Sequence, residues 1–159
     1  MTYHPKLVTA TVGLAAGGVI IPGLPQGLSL PYTVVGKSAD SFFTTANDTP
    51  MITVAKGAEG NNDFVISADE AGVMNITVKK DGAANRIFSI IFRAQRLIGS
   101  GQLPPFSFPV SYRNNNKSPP ESHEGVQCMI GQQPDADYGA DQGDVLWAFV
   151  TLKLISNYT

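Results

Sequence analysis

The last strand-forming run of the chain, Val145 to Ile155, is apolar on both parities, and nothing else in the sequence limits the fold as tightly. In an extended chain Leu146, Ala148, Val150, Leu152 and Leu154 share one face, while Val145, Trp147, Phe149 and Ile155 share the other. Such a strand needs a cover on both sides. It sits centrally in a layered β structure, or another subunit buries part of it. The run closes an ordered series in which PFSFPVSYRNN comes first, with Phe106, Phe108, Val110 and Tyr112 on one parity, and VQCMIGQQPDADYG second. Three apolar strand-like runs separated by turn-forming segments describe a β-rich building block.

A chain of 159 residues with 43% hydrophobic content can bury one sizeable core, so a single domain over residues 1–159 is expected. Charged residues make up only 15%, against roughly 25% in an average soluble protein. The exterior is therefore rich in small polar residues or covered by partners. Net charge is -2, and the eleven basic residues are scattered, which argues against tight nucleic-acid binding. Cys128, the single cysteine, rules out an internal disulfide and is expected to be buried. The apolar segment Leu7 to Ile21 is interrupted by Thr9, Thr11, Gly13, Gly17 and Gly18, which gives it strand and turn character and little of a secretion signal or membrane span.

Val8, Ala10, Val12 and Leu14 alternate with Thr9, Thr11 and Gly13, and Val19 to Ile21 would return as a hairpin before Pro22 and Pro25 end the ladder. Leu28 to Val35 is a further strand, with Pro31 placing it at an edge. Gly36 to Thr49 reads as a long polar loop whose one apolar feature is the pair Phe42 and Phe43, which favours docking on something. Ile52 and Val54 resume a strand, GAEGNN turns it, and Phe64 and Ile66 bring it back. Met74, Ile76 and Val78 alternate with Asn75, Thr77 and Lys79. The period then changes. Ile87, Ile90, Ile91, Ala94, Leu97 and Ile98 fall at helical spacing, predicting an amphipathic helix over about residues 83–98, with Asp81 as N-cap and Gly99 as stop. Arg113 to Gly125 reads as a second exposed loop. The expected fold class is α+β and mainly β: an antiparallel sandwich or barrel with one flanking helix and long loops.

Little in the sequence points to reaction chemistry. Asp135, Asp137, Asp141 and Asp144 are the one cluster resembling a metal loop, but the flanks are strands and Leu146 stands where a calcium loop needs its bidentate Glu. A turn is the better reading, and no metal or cofactor is expected. His4 and His123 stand alone in polar surroundings and are expected to be solvated. Phosphate-binding loops and nucleophile elbows are absent, and Asp69 with Glu70 would point to opposite faces of a strand. An enzyme is not expected.

Several short segments occur in an order that resembles a known family: DSFF at Asp40 to Phe43, GAEG at Gly57 to Gly60, DEAGVMNITVKK at Asp69 to Lys80, and Asn85 opening the helix. Pro105 and Phe106 follow, then PDADYG at Pro134 to Gly139 and GDVLWAF at Gly143 to Phe149. The set is similar to the tail tube proteins of contractile-tailed bacteriophages and to the tube subunits of type VI secretion systems. The pattern departs from such families in having Asp81-Gly82 before the helix, where Ser or Thr is usual, and in the length of the Arg113 to Gly125 insert.

The resemblance implies a structural virion protein whose copies form stacked hexameric rings around a channel for genomic DNA, which passes without tight binding. The implied partners are further copies of the chain, with sheath, tape measure and baseplate or terminator proteins. The implied location is the virion tail, after assembly in the host cytoplasm, with no membrane role. Asp40, Ser41, Phe42, Phe43 and Thr44 would form an arm reaching a neighbouring subunit, with Trp147 and Phe149 also at subunit contacts. Pro134, Asp135, Tyr138, Gly139 and Gly143 would form the turn motif. Two alternatives stand beside it: a tube initiator or terminator, and a monomeric β-sandwich module binding sugar or calcium.

Overall fold

The computed structural model of the protein describes residues 8–13, 32–34, 42–102, 106–134 and 143–158. Its elements run β1 (Val8–Val12), β2 (Tyr32–Thr33), β3 (Phe43–Asn47), β4 (Ile52–Lys56), β5 (Asn62–Ile66), β6 (Gly72–Lys79), α1 (Ala83–Gly99), β7 (Phe108–Asn114), β8 (Glu121–Gln132), β9 (Asp144–Thr151) and β10 (Leu154–Asn157). Eight of the strands make one antiparallel sheet in the order β2-β1-β7-β8-β9-β6-β3, with β10 also paired to β8. β4 and β5 pair only with each other. The fold is α+β and mainly β, as the periodicity predicts. It is neither a closed barrel nor a sandwich of two comparable sheets, because the second sheet is a lone hairpin.

Alternation within the strands decides which face is buried. Val8, Ala10, Val12, Met74, Ile76, Val78, Phe108, Val110, Cys128, Ile130, Trp147 and Phe149 all point to the inner face. Against it lies α1, whose stripe of Ala84, Ile87, Phe88, Ile90, Ile91 and Ala94 is buried. Phe88 meets Trp147 and Phe149 edge-on at 5.8 and 5.2 Å between ring centres, and Phe149 meets Phe108 at 6.0 Å. Burying the four large stripe residues, Ile87, Phe88, Ile90 and Ile91, contributes on the order of 6–12 kcal/mol before entropy is charged.

Two polar clamps fix the helix on the sheet. Asn85 accepts from the Trp147 indole N–H at 2.9 Å and donates to the Lys80 carbonyl at 2.9 Å. The Gln95 amide donates to the Ile130 carbonyl and accepts from the Ile130 N–H, both at 2.8 Å. The register of β7 against β8 reaches only Phe108 and Cys128, so Gln95 takes the place a further β7 residue would fill. The helix boundaries differ from the expectation. Gly82 is the N-cap residue in extended backbone with no side-chain cap bond, and Asp81 is exposed one position earlier. The stop comes at Gly101, whose φ of +79° is left-handed, while Gly99 is still helical.

At its other end the inner face is closed by aromatic rings. Phe43 on β3 stacks on Tyr112 of β7 with ring centres 4.2 Å apart and planes 5° from parallel. These strands are four places apart in the sheet order, so the stack records a strong curl. Arg113 to Gly125 is no long loop. β7 and β8 are joined by Asn115 to Pro120, within which the Asn114 side chain accepts from the Asn116 N–H and Lys117 pairs with Glu121 at 2.6 Å. The final run is also broken: β9 and β10 both lie along β8, separated by an irregularity at Leu152 and Lys153 that shifts parity. Leu154 therefore packs on the core, although simple alternation from Leu146 would leave it outside.

Candidate functional site

Four of the residues expected at subunit contacts are buried or half-buried in their own chain. Phe42 is buried, with 7% of its surface exposed, and its carbonyl accepts from the Thr77 N–H. Phe43 is half-buried in the stack on Tyr112. Trp147 and Phe149 are core residues at 1% and 0% exposure. All four are covered by their own chain, because the curl brings β3 over β7 and the helix over β9. Thr44 is exposed on β3 and accepts from the Asn75 side chain. Asp40 and Ser41 lie outside the described residues, as do Asp135, Tyr138, Gly139, His4 and the expected Val19 to Ile21 strand. Of the expected strand Leu28 to Val35, Tyr32–Thr33 is described, as β2.

What projects instead is the β4–β5 hairpin. The β3–β6 ladder ends with Asn47 opposite Gly72, and the same ribbon continues through bonds from Asp48 N–H to the Ala71 carbonyl and from Ser67 N–H to the Met51 carbonyl. At its foot Thr49 donates to Asp69 at 2.7 Å, and Asp69 also accepts from the Ala71 N–H at 3.0 Å. These bonds, the Thr49 hydroxyl first, hold the Asp69 carboxyl below the usual carboxylate range. From Asp48 to Lys56, before the turn in which Gly60 has a φ of +82°, the ribbon spans at most roughly 26 Å at ~3.3 Å per residue.

All ten hairpin strand residues are exposed. Register places Ile52 opposite Ile66 and Val54 opposite Phe64, so four large apolar side chains share one face, with exposures from 52% to 79%. A two-stranded hairpin alone is marginal in water, and a bare apolar one invites a partner. Sequence pattern found the hairpin, but nothing in a run of alternating residues says that both faces are left exposed.

A second apolar surface lies on the outward face of the sheet. Leu146, Val150, Met129 and Val126 are exposed there, and Val73 is half-buried. Val73, Val150 and Met129 are register neighbours across β6, β9 and β8. This is the second apolar parity of the final run, and no described residue covers it.

His123 departs from the expectation of a solvated side chain. It is 5% exposed on the inner face, with Nδ1 at 2.8 Å from the Ser156 hydroxyl and Nε2 at 3.1 Å from Glu121. Phe43, Tyr112 and Tyr158 surround the ring. Pairing with Lys117 is the first cause that holds the Glu121 carboxyl below its ordinary range. The group joins β8 to β10, which are register partners at His123 and Ser156. Burial pushes the Cys128 thiol up.

One cavity of about 340 Å³ lies between Gln132, Gln133 and Pro134 and the start of β9 from Asp144 to Ala148. Another of about 580 Å³ lies at the hairpin foot, lined by Thr49, Met51, Ser67, Asp69 and Leu154 among others. Pro134 is half-buried and Gly143 exposed. Among the described residues no three His, Cys, Asp or Glu side chains come together as metal ligands, and no helix is long and apolar enough to cross a membrane. No protein-family model and no curated protein matches the chain.

Proposed function

We propose that the chain is a self-assembling structural subunit, of the kind that forms the inner tube of a contractile phage tail by stacking hexameric rings around a DNA channel. The observation that carries this reading is the β4–β5 hairpin, an apolar ribbon continuing the β3–β6 ladder, which no described residue covers. The bare apolar half of the sheet and the low charge support it. Both are expected where much of the exterior is hidden in permanent contacts, which are more apolar than free surface. The net charge of -2 suits a bore through which DNA slides without sticking. The six-fold ring, the phage setting and the sheath, tape measure and baseplate or terminator partners rest on the resemblance alone.

Electron microscopy and sedimentation of the full chain across a wide concentration range, with and without a preassembled nucleus, test the proposal. Rings or tubes of uniform bore are expected. Single rings that never extend would favour a tube initiator or terminator. A species that stays monomeric under every condition would overturn it. The competing reading, a monomeric module binding sugar or calcium, draws on the cavity beside Asp144 and predicts a melting temperature that rises with ligand.

A further inference from the structure

The hairpin and the sheet each present an apolar surface that no described residue covers, and the two match. On the hairpin, Ile52, Val54, Phe64 and Ile66 form a block two strands wide, because register sets them opposite one another in pairs. On the sheet, Met129, Val150 and Val73 make a row across β8, β9 and β6, with Ala148 and Leu146 following along β9 beside Asn75 and Thr77 of β6. The other half of that same outward face is polar, carrying Thr9, Thr11, Ser111, Arg113 and Glu124. We infer that the β4–β5 hairpin of one copy packs, through its Phe64 face, on the Met129, Leu146 and Val150 half of the sheet of the next copy. This rests on the self-assembly reading and names the surfaces that carry it.

Among the described residues the hairpin packs on none of its own chain, since it continues the β3–β6 ribbon and every strand residue on it is exposed. Size fits a second copy. Eight side chains, the hairpin four with Val126, Met129, Leu146 and Val150, expose on the order of 700 Å². With the polar margin a docked ribbon also covers, the contact reaches the ~1,000 Å² at which specific interfaces begin. Layering fits as well, because a ribbon lying ~10 Å above the sheet supplies the second layer that a sheet apolar on both faces calls for. A symmetric contact of hairpin on hairpin would leave the sheet half bare. Hairpin on sheet uses two different surfaces, so each copy has one of each to offer, and the contact closes into a ring or runs on as a helix.

The test uses full-length cysteine variants mixed in pairs and oxidised mildly, one of each pair carrying a size tag. Native Cys128 is buried and stays silent in the folded protein. Phe64→Cys mixed with Val150→Cys, or with Met129→Cys, is expected to give disulfide-linked pairs at least tenfold above Phe64→Cys mixed with Thr11→Cys on the polar half. Equal yields with Thr11→Cys would overturn the inference, as would dominant linking of Phe64→Cys to itself. Sedimentation of the same samples separates the two levels. Assemblies that form while both Val150→Cys and Met129→Cys stay unlinked sink the docking and leave self-assembly standing. A native chain that stays monomeric beside them sinks both.

Discussion

Replacing Phe64 by Ala separates folding from assembly more cleanly than any other single change. The ring is 79% exposed in the lone subunit, so truncation there removes almost no buried contact, and unfolding free energy should move by no more than ~0.5 kcal/mol. Covered by a neighbour, the same ring contributes about 2–3 kcal/mol per contact. At ~1.4 kcal/mol for each factor of ten, the concentration for half-assembly should rise about 30- to 150-fold. Urea unfolding of dilute protein gives the first quantity, and a sedimentation series over concentration gives the second. An unchanged assembly midpoint would show that the hairpin face touches no neighbour. A loss of more than ~1 kcal/mol in the dilute subunit would show instead that the hairpin packs on its own chain.

Other perturbations probe the scaffold. Asn85→Ala leaves the buried Trp147 indole N–H without its partner and removes a bond to the Lys80 carbonyl, and should cost about 1–3 kcal/mol in urea unfolding, with Asn85→Asp keeping the indole bond and losing less. Gly125→Ala would set its methyl 2.5 Å from the Cys128 sulfur and 2.8 Å from that of Met74, an overpacking expected to cost ~1–3 kcal/mol. Trp147 is the only tryptophan and is already buried, so its fluorescence emission should stay at the same wavelength through assembly; a clear shift would return it to a subunit contact. The Asp69 and Glu121 carboxyls are both depressed, so the stability they contribute is present above the ordinary carboxylate range near pH ~4 and is lost as pH falls through their lowered values. Unfolding scans between neutral pH and pH ~3 should show that loss, and Glu121→Gln should flatten it.

Period was legible in the sequence and neighbourhood was not. Alternation located β1, β6, β7 and the β4–β5 hairpin, and the change to helical spacing at Ile87 located α1, because each signal is local to a few residues. Phe42, Phe43 and Trp147 were misplaced because a large ring in a polar loop or on a two-faced strand reads alike whether its own chain or a neighbour covers it. Only the curl that sets Phe43 on Tyr112, far away in sequence, decides the matter. The same holds for His123, whose polar surroundings in sequence concealed Ser156 and the three aromatic rings. The parity change at Leu152 and Lys153 carries no marker residue. It shows only in pairing to β8, where Thr151 bonds both the N–H and the carbonyl of Lys153.

The two-faced final strand thus has two different covers. Its inner parity, Trp147 and Phe149, is sealed by α1, and its outer parity, Leu146 and Val150, is left open. Exposed apolar residues are ordinary when scattered, but here most fall on two patches, at the hairpin and on one half of the outward sheet face. A lone subunit gains nothing from that grouping. Both patches belong to the same β3–β6–β9 ribbon system, so tension on a seated hairpin would pass through backbone ladders to the face that seats the next one.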